Sequence, residues 1–107
     1  MSDNLALTEA VYYILLSLCS PRHGYGIMQK TEQMSDGRVR LAAGTLYGAL
    51  NSLSAKGWIK ALPQGAGSRK KEYQITASGK EVLAAELSRL RQLVKNGEEI
   101  LGGKEDE

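Results

Sequence analysis

A plain helix running straight into a basic hairpin is the most restrictive pattern in this sequence. From Ala43 to Lys56 the chain reads as one helix, with Leu46, Leu50 and Leu53 at i, i+4, i+7 as its narrow apolar stripe. The opposite positions are small or polar: Gly44, Gly48, Asn51, Ser52 and Ala55. Gly48 in a helix interior costs about 1 kcal/mol relative to Ala, so the small outer face is retained against propensity. It either clears a neighbouring helix or admits something from outside. Gly57 follows as a C′ glycine. Trp58, Ile59 and Leu62 form a strand, residues 63–68 a hairpin tip, and Glu72-Tyr73-Gln74-Ile75 the return strand. Trp58 and Ile59 cannot both face inward on a regular strand, so one of them lies against another subunit or helix.

Charge is distributed to match. The formal net charge is only +2. Yet the window from Lys56 to Lys71 holds five bases (Lys56, Lys60, Arg69, Lys70, Lys71) and no acid, whereas residues 98–107 hold five acids and one base. A nearly neutral total conceals a basic patch on the hairpin, and it is the patch that sets an electrostatic footprint.

The remaining chain supplies the frame. Thr8 is placed to cap a first helix whose apolar positions are Leu7, Val11, Ile14, Leu15 and Leu18, with Tyr12 and Tyr13 widening the buried side. It ends near Ser20-Pro21. His23-Gly24-Tyr25-Gly26 opens a second helix that reaches about Met34. His23 there could meet a phosphate or make a local cap hydrogen bond. Ser35-Asp36-Gly37 is a turn, and the alternation in Arg38-Val39-Arg40-Leu41 reads as a short strand with both arginines on one side. Thr76 or Ser78 caps a last helix in which Leu83, Leu87, Leu90, Val94, Gly97 and Leu101 recur at the heptad spacing of a coiled-coil seam. That stripe is longer than so small a domain can cover, which predicts a two-fold homodimer; the alternative is docking onto the first helix of the same chain, and the two are compatible. Val11, Leu15 and Leu18 of one chain are expected to meet the last helix of the other, through Leu83, Leu87, Leu90, Val94 and Leu101. A hydrophobic cavity between the first and last helices at the dimer centre, lined by Tyr12, Leu15, Leu90 and Val94, would suit a small hydrophobic or aromatic effector, the alternative being a filled core.

Several functions fall away. At 107 residues the chain makes one core, with no apolar run long enough to span a membrane. One cysteine, Cys19, permits no internal disulfide, and together with the lack of a basic leader this predicts a cytoplasmic protein. One His, one Cys and scattered acids compose neither a catalytic constellation nor a metal site, and no cofactor is implied.

Helix, helix, short strand, helix, hairpin and long helix describe a mainly α fold with a small β-hairpin, the winged helix-turn-helix, whose third helix enters the major groove while the wing touches phosphates. The expected organisation is a DNA-binding unit over residues 5–76, a dimerisation helix over 77–101 and an acidic disordered tail over 102–107.

His23-Gly24-Tyr25, Gly44-Thr45-Leu46-Tyr47, Leu50-Asn51-Ser52-Leu53, Lys56-Gly57-Trp58-Ile59 and Tyr73-Gln74-Ile75-Thr76-Ala77-Ser78-Gly79 together resemble the PadR-like transcriptional regulators. The likeness extends from Leu7 to Leu101, and its short single C-terminal helix resembles the smaller subgroup of that family. The resemblance implies a dimeric DNA-binding regulator, commonly a repressor released by a small molecule. Thr45 and Tyr47 match the family's recognition-helix contacts, Arg69, Lys70 and Lys71 its basic wing, and His23-Gly24-Tyr25 its second-helix start. Ala43 departs from the pattern, standing where members often carry proline, so the start of the recognition helix is less rigidly preset.

On this reading Lys56, Arg69, Lys70 and Lys71 neutralise phosphates. Thr45, Tyr47 and Asn51 read bases, Asn51 being able to pair with adenine. His23, Tyr25 and Arg40 complete the expected DNA-facing set, on a pseudo-palindromic operator. The rival reading is a winged helix that joins proteins, its basic wing meeting an acidic partner.

Overall fold

The computed structural model describes residues 6–63 and 70–102. Four helices carry a three-stranded antiparallel sheet in the order β1-β3-β2: α1 (Glu9–Ser17), β1 (Arg22–His23), α2 (Gly24–Met34), α3 (Ala43–Ala55), β2 (Ile59–Ala61), β3 (Glu72–Ile75) and α4 (Ala77–Leu101). This is the winged helix-turn-helix, mainly α with a small sheet.

Local chemistry sets most boundaries. The Thr8 hydroxyl accepts from the Val11 amide at 3.1 Å and opens α1. Asp36 and Gly37 both take positive φ (54° and 80°) in the turn after α2. Gly57, at φ 79°, ends α3 in the left-handed conformation that a C′ residue needs. Of the two candidate caps for α4, Thr76 takes the role. Its hydroxyl accepts from the Gly79 amide at 3.1 Å and donates to the Gly57 carbonyl at 2.6 Å, while its own amide donates to the Trp58 carbonyl. One threonine thus caps α4 and fastens it to the turn beyond α3.

The core lies where α1, α2, α3, the sheet and the first half of α4 converge. Ile14, Leu15, Leu18, Ile27, Leu46 and Leu50 are excluded from water almost completely, and Leu53, Ile59, Tyr73, Ile75 and Leu83 close around them. Full burial of each such aliphatic side chain contributes roughly 1.5–3 kcal/mol. The stripe Leu46, Leu50, Leu53 therefore anchors α3 firmly, with its opposite face outward.

The expected strand at Arg38-Val39-Arg40-Leu41 does not form; those residues are an extended loop into α3. Their alternation serves other partners. The Val39 amide donates to the Ser35 hydroxyl at 2.9 Å, Arg38 pairs with Glu9 on α1, and Arg40 reaches Glu32 on α2 at 3.5 Å. The edge of β3 is taken instead by Arg22 and His23, in register with Tyr73 and Glu72. The Arg22 Nε donates to the Ser17 carbonyl at 2.8 Å and fixes this short strand to the end of α1.

Candidate nucleic-acid interface

Because Leu46, Leu50 and Leu53 hold α3 from inside, the helical repeat turns Gly44, Thr45, Tyr47, Gly48, Asn51, Ser52 and Ala55 to solvent. A Cβ added at Gly44 or Gly48 would meet nothing within 4 Å. The small face therefore clears no helix of this chain and leaves a groove-wide surface open. No side chain caps the start of α3 at Ala42, so its first-turn amides remain available to an outside acceptor.

Tyr47 differs from the other outward residues. Its ring is about half exposed, and its hydroxyl end rests against Gly24, where an added Cβ would collide with it. This contact joins the start of α2 to the recognition helix, and a side chain at position 24 would displace the Tyr47 ring. Tyr25, the next residue on the first turn of α2, is exposed. His23 is the N-cap of α2; its Nδ1 accepts from the Gly26 amide at 3.4 Å, so the local cap is the role the geometry supports.

The basic residues form two groups. Lys56, just beyond α3, lies over the Trp58 ring at 4.9 Å, which holds its ammonium beside the root of the wing. Lys70 and Lys71 are exposed where the chain re-enters the sheet ahead of β3. Arg69 and the hairpin tip fall at residues 64–69, outside the described residues, as does the acidic tail at 103–107. Arg40 is exposed on the loop before α3, paired with Glu32.

Of the residues assigned to the dimer and effector surfaces, Leu15 and Leu18 are the two that the single chain encloses. Leu15 and Leu18 have no accessible surface in the single chain, because the chain's own α2, sheet and α4 cover them. They cannot contact a second copy without opening the core. Within the single chain Tyr12, Leu15, Leu90 and Val94 do not line one cavity. Leu15 is interior, Leu90 and Val94 stand on the outer half of α4, and Tyr12 lines a recess of about 260 Å³ with Leu16, Cys19 and Leu87. The larger cleft, about 820 Å³, opens between the start of α1, the second half of α3, Trp58 and α4. Its wall includes Leu7, Val11, Leu53 and Val82. Ile59 faces the core while half-buried Trp58 faces this cleft, which settles the pair.

At the floor of that cleft is a residue the sequence reading missed. Glu86 is buried in α4, and its carboxylate accepts two hydrogen bonds from Arg89, at 2.9 and 2.6 Å. The Arg89 guanidinium holds the Glu86 carboxyl below its ordinary range; burial opposes this, and a hydrogen bond from the Leu7 backbone adds to it. The signal available in sequence was a Glu and an Arg three apart beside the Leu83 stripe.

Known proteins share these features. Residues 13–85 match the transcriptional regulator PadR-like family. A 37.1 kDa protein in transposon TN4556 of Streptomyces fradiae is 36% identical over 83 residues, 74% of this chain and 23% of that protein, so the chain spans under a quarter of that relative's length. A PadR family transcription regulator from Clostridium difficile superposes with a TM-score of 0.69 at 24% identity, covering 85% of this chain and 97% of that one. BpsR of Bordetella bronchiseptica superposes with a TM-score of 0.68 at 17% identity, covering 92% of this chain and 69% of that one. The structural likenesses speak for the fold, whereas the family match takes in the second-helix start, the Gly-Thr-Leu-Tyr helix, the wing strands and the Thr76 cap together. On that match the chain belongs to the PadR-like family, whose members are transcriptional regulators and not enzymes.

Proposed function

We propose that the chain is a cytoplasmic, sequence-specific DNA-binding regulator that acts as a two-fold dimer on a pseudo-palindromic operator, as a repressor released by a small hydrophobic or aromatic effector. The observation that carries this reading is the recognition helix itself. Its outer face is open and nearly free of bulk at Gly44 and Gly48, Lys56 follows it directly, and Lys70 and Lys71 are exposed ahead of β3. Phosphate neutralisation by those cations supplies affinity, and Thr45, Tyr47 and Asn51 supply base contacts. With no Arg or Lys in the first half of α3, half-site spacing and DNA shape contribute much of the selectivity.

The release step draws support from the 820 Å³ cleft, which touches α3 through Ala49, Ser52 and Leu53 and α4 through Val82, Ala85 and Arg89. A small molecule lodged there would press on the recognition helix and the dimerisation helix at once. BpsR offers a precedent, since 6-hydroxynicotinic acid regulates its DNA binding.

The test is a fluorescence-anisotropy titration on genomic duplexes selected by the protein, repeated across salt concentrations. Lys70→Ala with Lys71→Ala is expected to weaken binding to every duplex and to make the plot of log affinity against log salt shallower by about 2 per chain. An unchanged slope removes the wing from the interface. Binding that an acidic protein competes for as well as duplex DNA does would favour the protein-joining alternative.

A further inference from the structure

The outer half of α4 carries a pattern more specific than an apolar stripe. Leu93, Val94, Ile100 and Leu101 are 52%, 57%, 73% and 87% exposed, so the described residues leave them largely uncovered. On the heptad, Leu87, Val94 and Leu101 take a positions, and Leu90 and Gly97 take d positions. Leu93 and Ile100 then fall at g, on one flank of the seam. Arg91 and Glu98, seven apart, fall at e, on the other. From Glu86 onward the helix's other charges are used internally: Arg89 binds Glu86, and Lys95 binds Glu99 at 2.8 Å. Among the described residues Arg91 and Glu98 have no ion pair within the chain.

We infer that a second copy of this chain docks antiparallel on this face, with the two-fold axis between Lys95 and Asn96, and that Arg91 pairs with Glu98 of the partner subunit. The inference rests on the dimeric reading above and specifies its direction and register. In an antiparallel pair, e positions face e positions and g positions face g positions, while a residues layer with d residues. With the axis at 95–96, Val94 layers with the partner's Gly97 and Leu101 with the partner's Leu90. Leu93 meets the partner's Ile100 on the dry flank. On the other flank Arg91 meets the partner's Glu98, and symmetry repeats the pair. Gly97, where a Cβ would touch nothing in the single chain, lets the helices approach closely beside the axis.

The neighbouring registers fail on charge. Moving the axis about half a heptad toward the start of α4 sets Arg91 against the partner's Arg91. Moving it as far the other way sets Glu98 against the partner's Glu98 and shortens the apolar overlap. A parallel pair would instead need Glu86 as the partner of Arg91, and Glu86 is buried and bound to Arg89. It would also place apolar Leu93 beside the partner's Glu98. Only the antiparallel register centred on 95–96 matches opposite charges on one flank and apolar residues on the other.

Charge reversal tests this by sedimentation equilibrium. Arg91→Glu and Glu98→Arg each turn two attractions into two repulsions, and each is expected to weaken self-association about tenfold. The double variant R91E/E98R restores it. So does an equimolar mixture of the two single variants, because a mixed pair then has Glu at both positions of one chain and Arg at both of the other. Single variants that associate as tightly as the native chain, or a mixture no tighter than its components, overturn the register while leaving the dimer intact. A native chain that remains monomeric at micromolar concentration overturns the register and the dimeric reading together.

Discussion

The two halves of α4 share one periodicity and have opposite fates. From Gly79 to Glu86 the stripe is interior: Gly79, Leu83 and Glu86 are buried, and the Gly79 Cα abuts the Trp58 carbonyl so closely that a Cβ would collide with it. From Leu87 onward the same stripe continues into solvent, ending in Ile100 and Leu101 almost fully exposed. Heptad spacing reports which face of a helix is apolar, and says nothing about whose atoms cover it. The first half is a structural wall of the DNA-binding unit, and the second is a surface without a partner among the described residues.

The sharpest way to break this contrast is to perturb each half separately and read stability and assembly independently. Gly79→Ala forces a methyl group against the Trp58 carbonyl, and it is expected to cost about 3 kcal/mol in chemical denaturation, with assembly falling only as the fold is lost. A variant as stable as the native chain would mean that α4 is not seated on the Gly57–Trp58 turn as described.

Val94→Asp is the converse. Val94 is 57% exposed, so the unfolding transition of the dilute single chain should shift by less than about 0.5 kcal/mol, whereas sedimentation should show the dimer gone. Loss of fold together with dimer would place Val94 in a core, against the contrast drawn here.

The smallest effect lies at the junction of the halves. Glu86→Gln removes the charged hydrogen bonds to Arg89 and should cost about 1 kcal/mol at neutral pH, a modest figure because the Arg89 head is partly in water. Arg89 depresses the Glu86 carboxyl in the folded chain, so its contribution is complete above the ordinary glutamate value of about 4.3 and is lost as pH falls through the lower folded value. The difference between native and variant stability should therefore shrink below about pH 4. A difference that is flat across that range would detach the Glu86–Arg89 pair from stability.

Legibility in sequence followed the range of the interactions. Leu46, Leu50 and Leu53, the strand Glu72–Ile75, the Thr8 cap, a cap at Thr76 or Ser78 and the C′ glycine at 57 were readable because each is settled within a few residues. The strand at Arg22–His23 was not, since its two residues qualify as a strand only by pairing with Tyr73 and Glu72, some fifty positions away. Alternation at Arg38-Val39-Arg40-Leu41 misled for the same reason: its arginines alternate to reach Glu9 and Glu32, not to line a sheet. Leu15 and Leu18 looked fit for a subunit contact because periodicity cannot see that α2 and the sheet already enclose them. Of the interface, the outward small face of α3 was legible, whereas the Gly24–Tyr47 contact was not, because it joins two helices through a glycine's missing side chain.

Sedimentation of the chain with a fluorescent duplex that it selects tests most directly whether two copies, joined through the far half of α4, present two recognition helices to one DNA. The account predicts a complex heavier than the duplex by two chains of 11.6 kDa, reduced to a single weakly bound chain by Val94→Asp. A native complex carrying one chain, or a Val94→Asp complex of native mass and affinity, would contradict it.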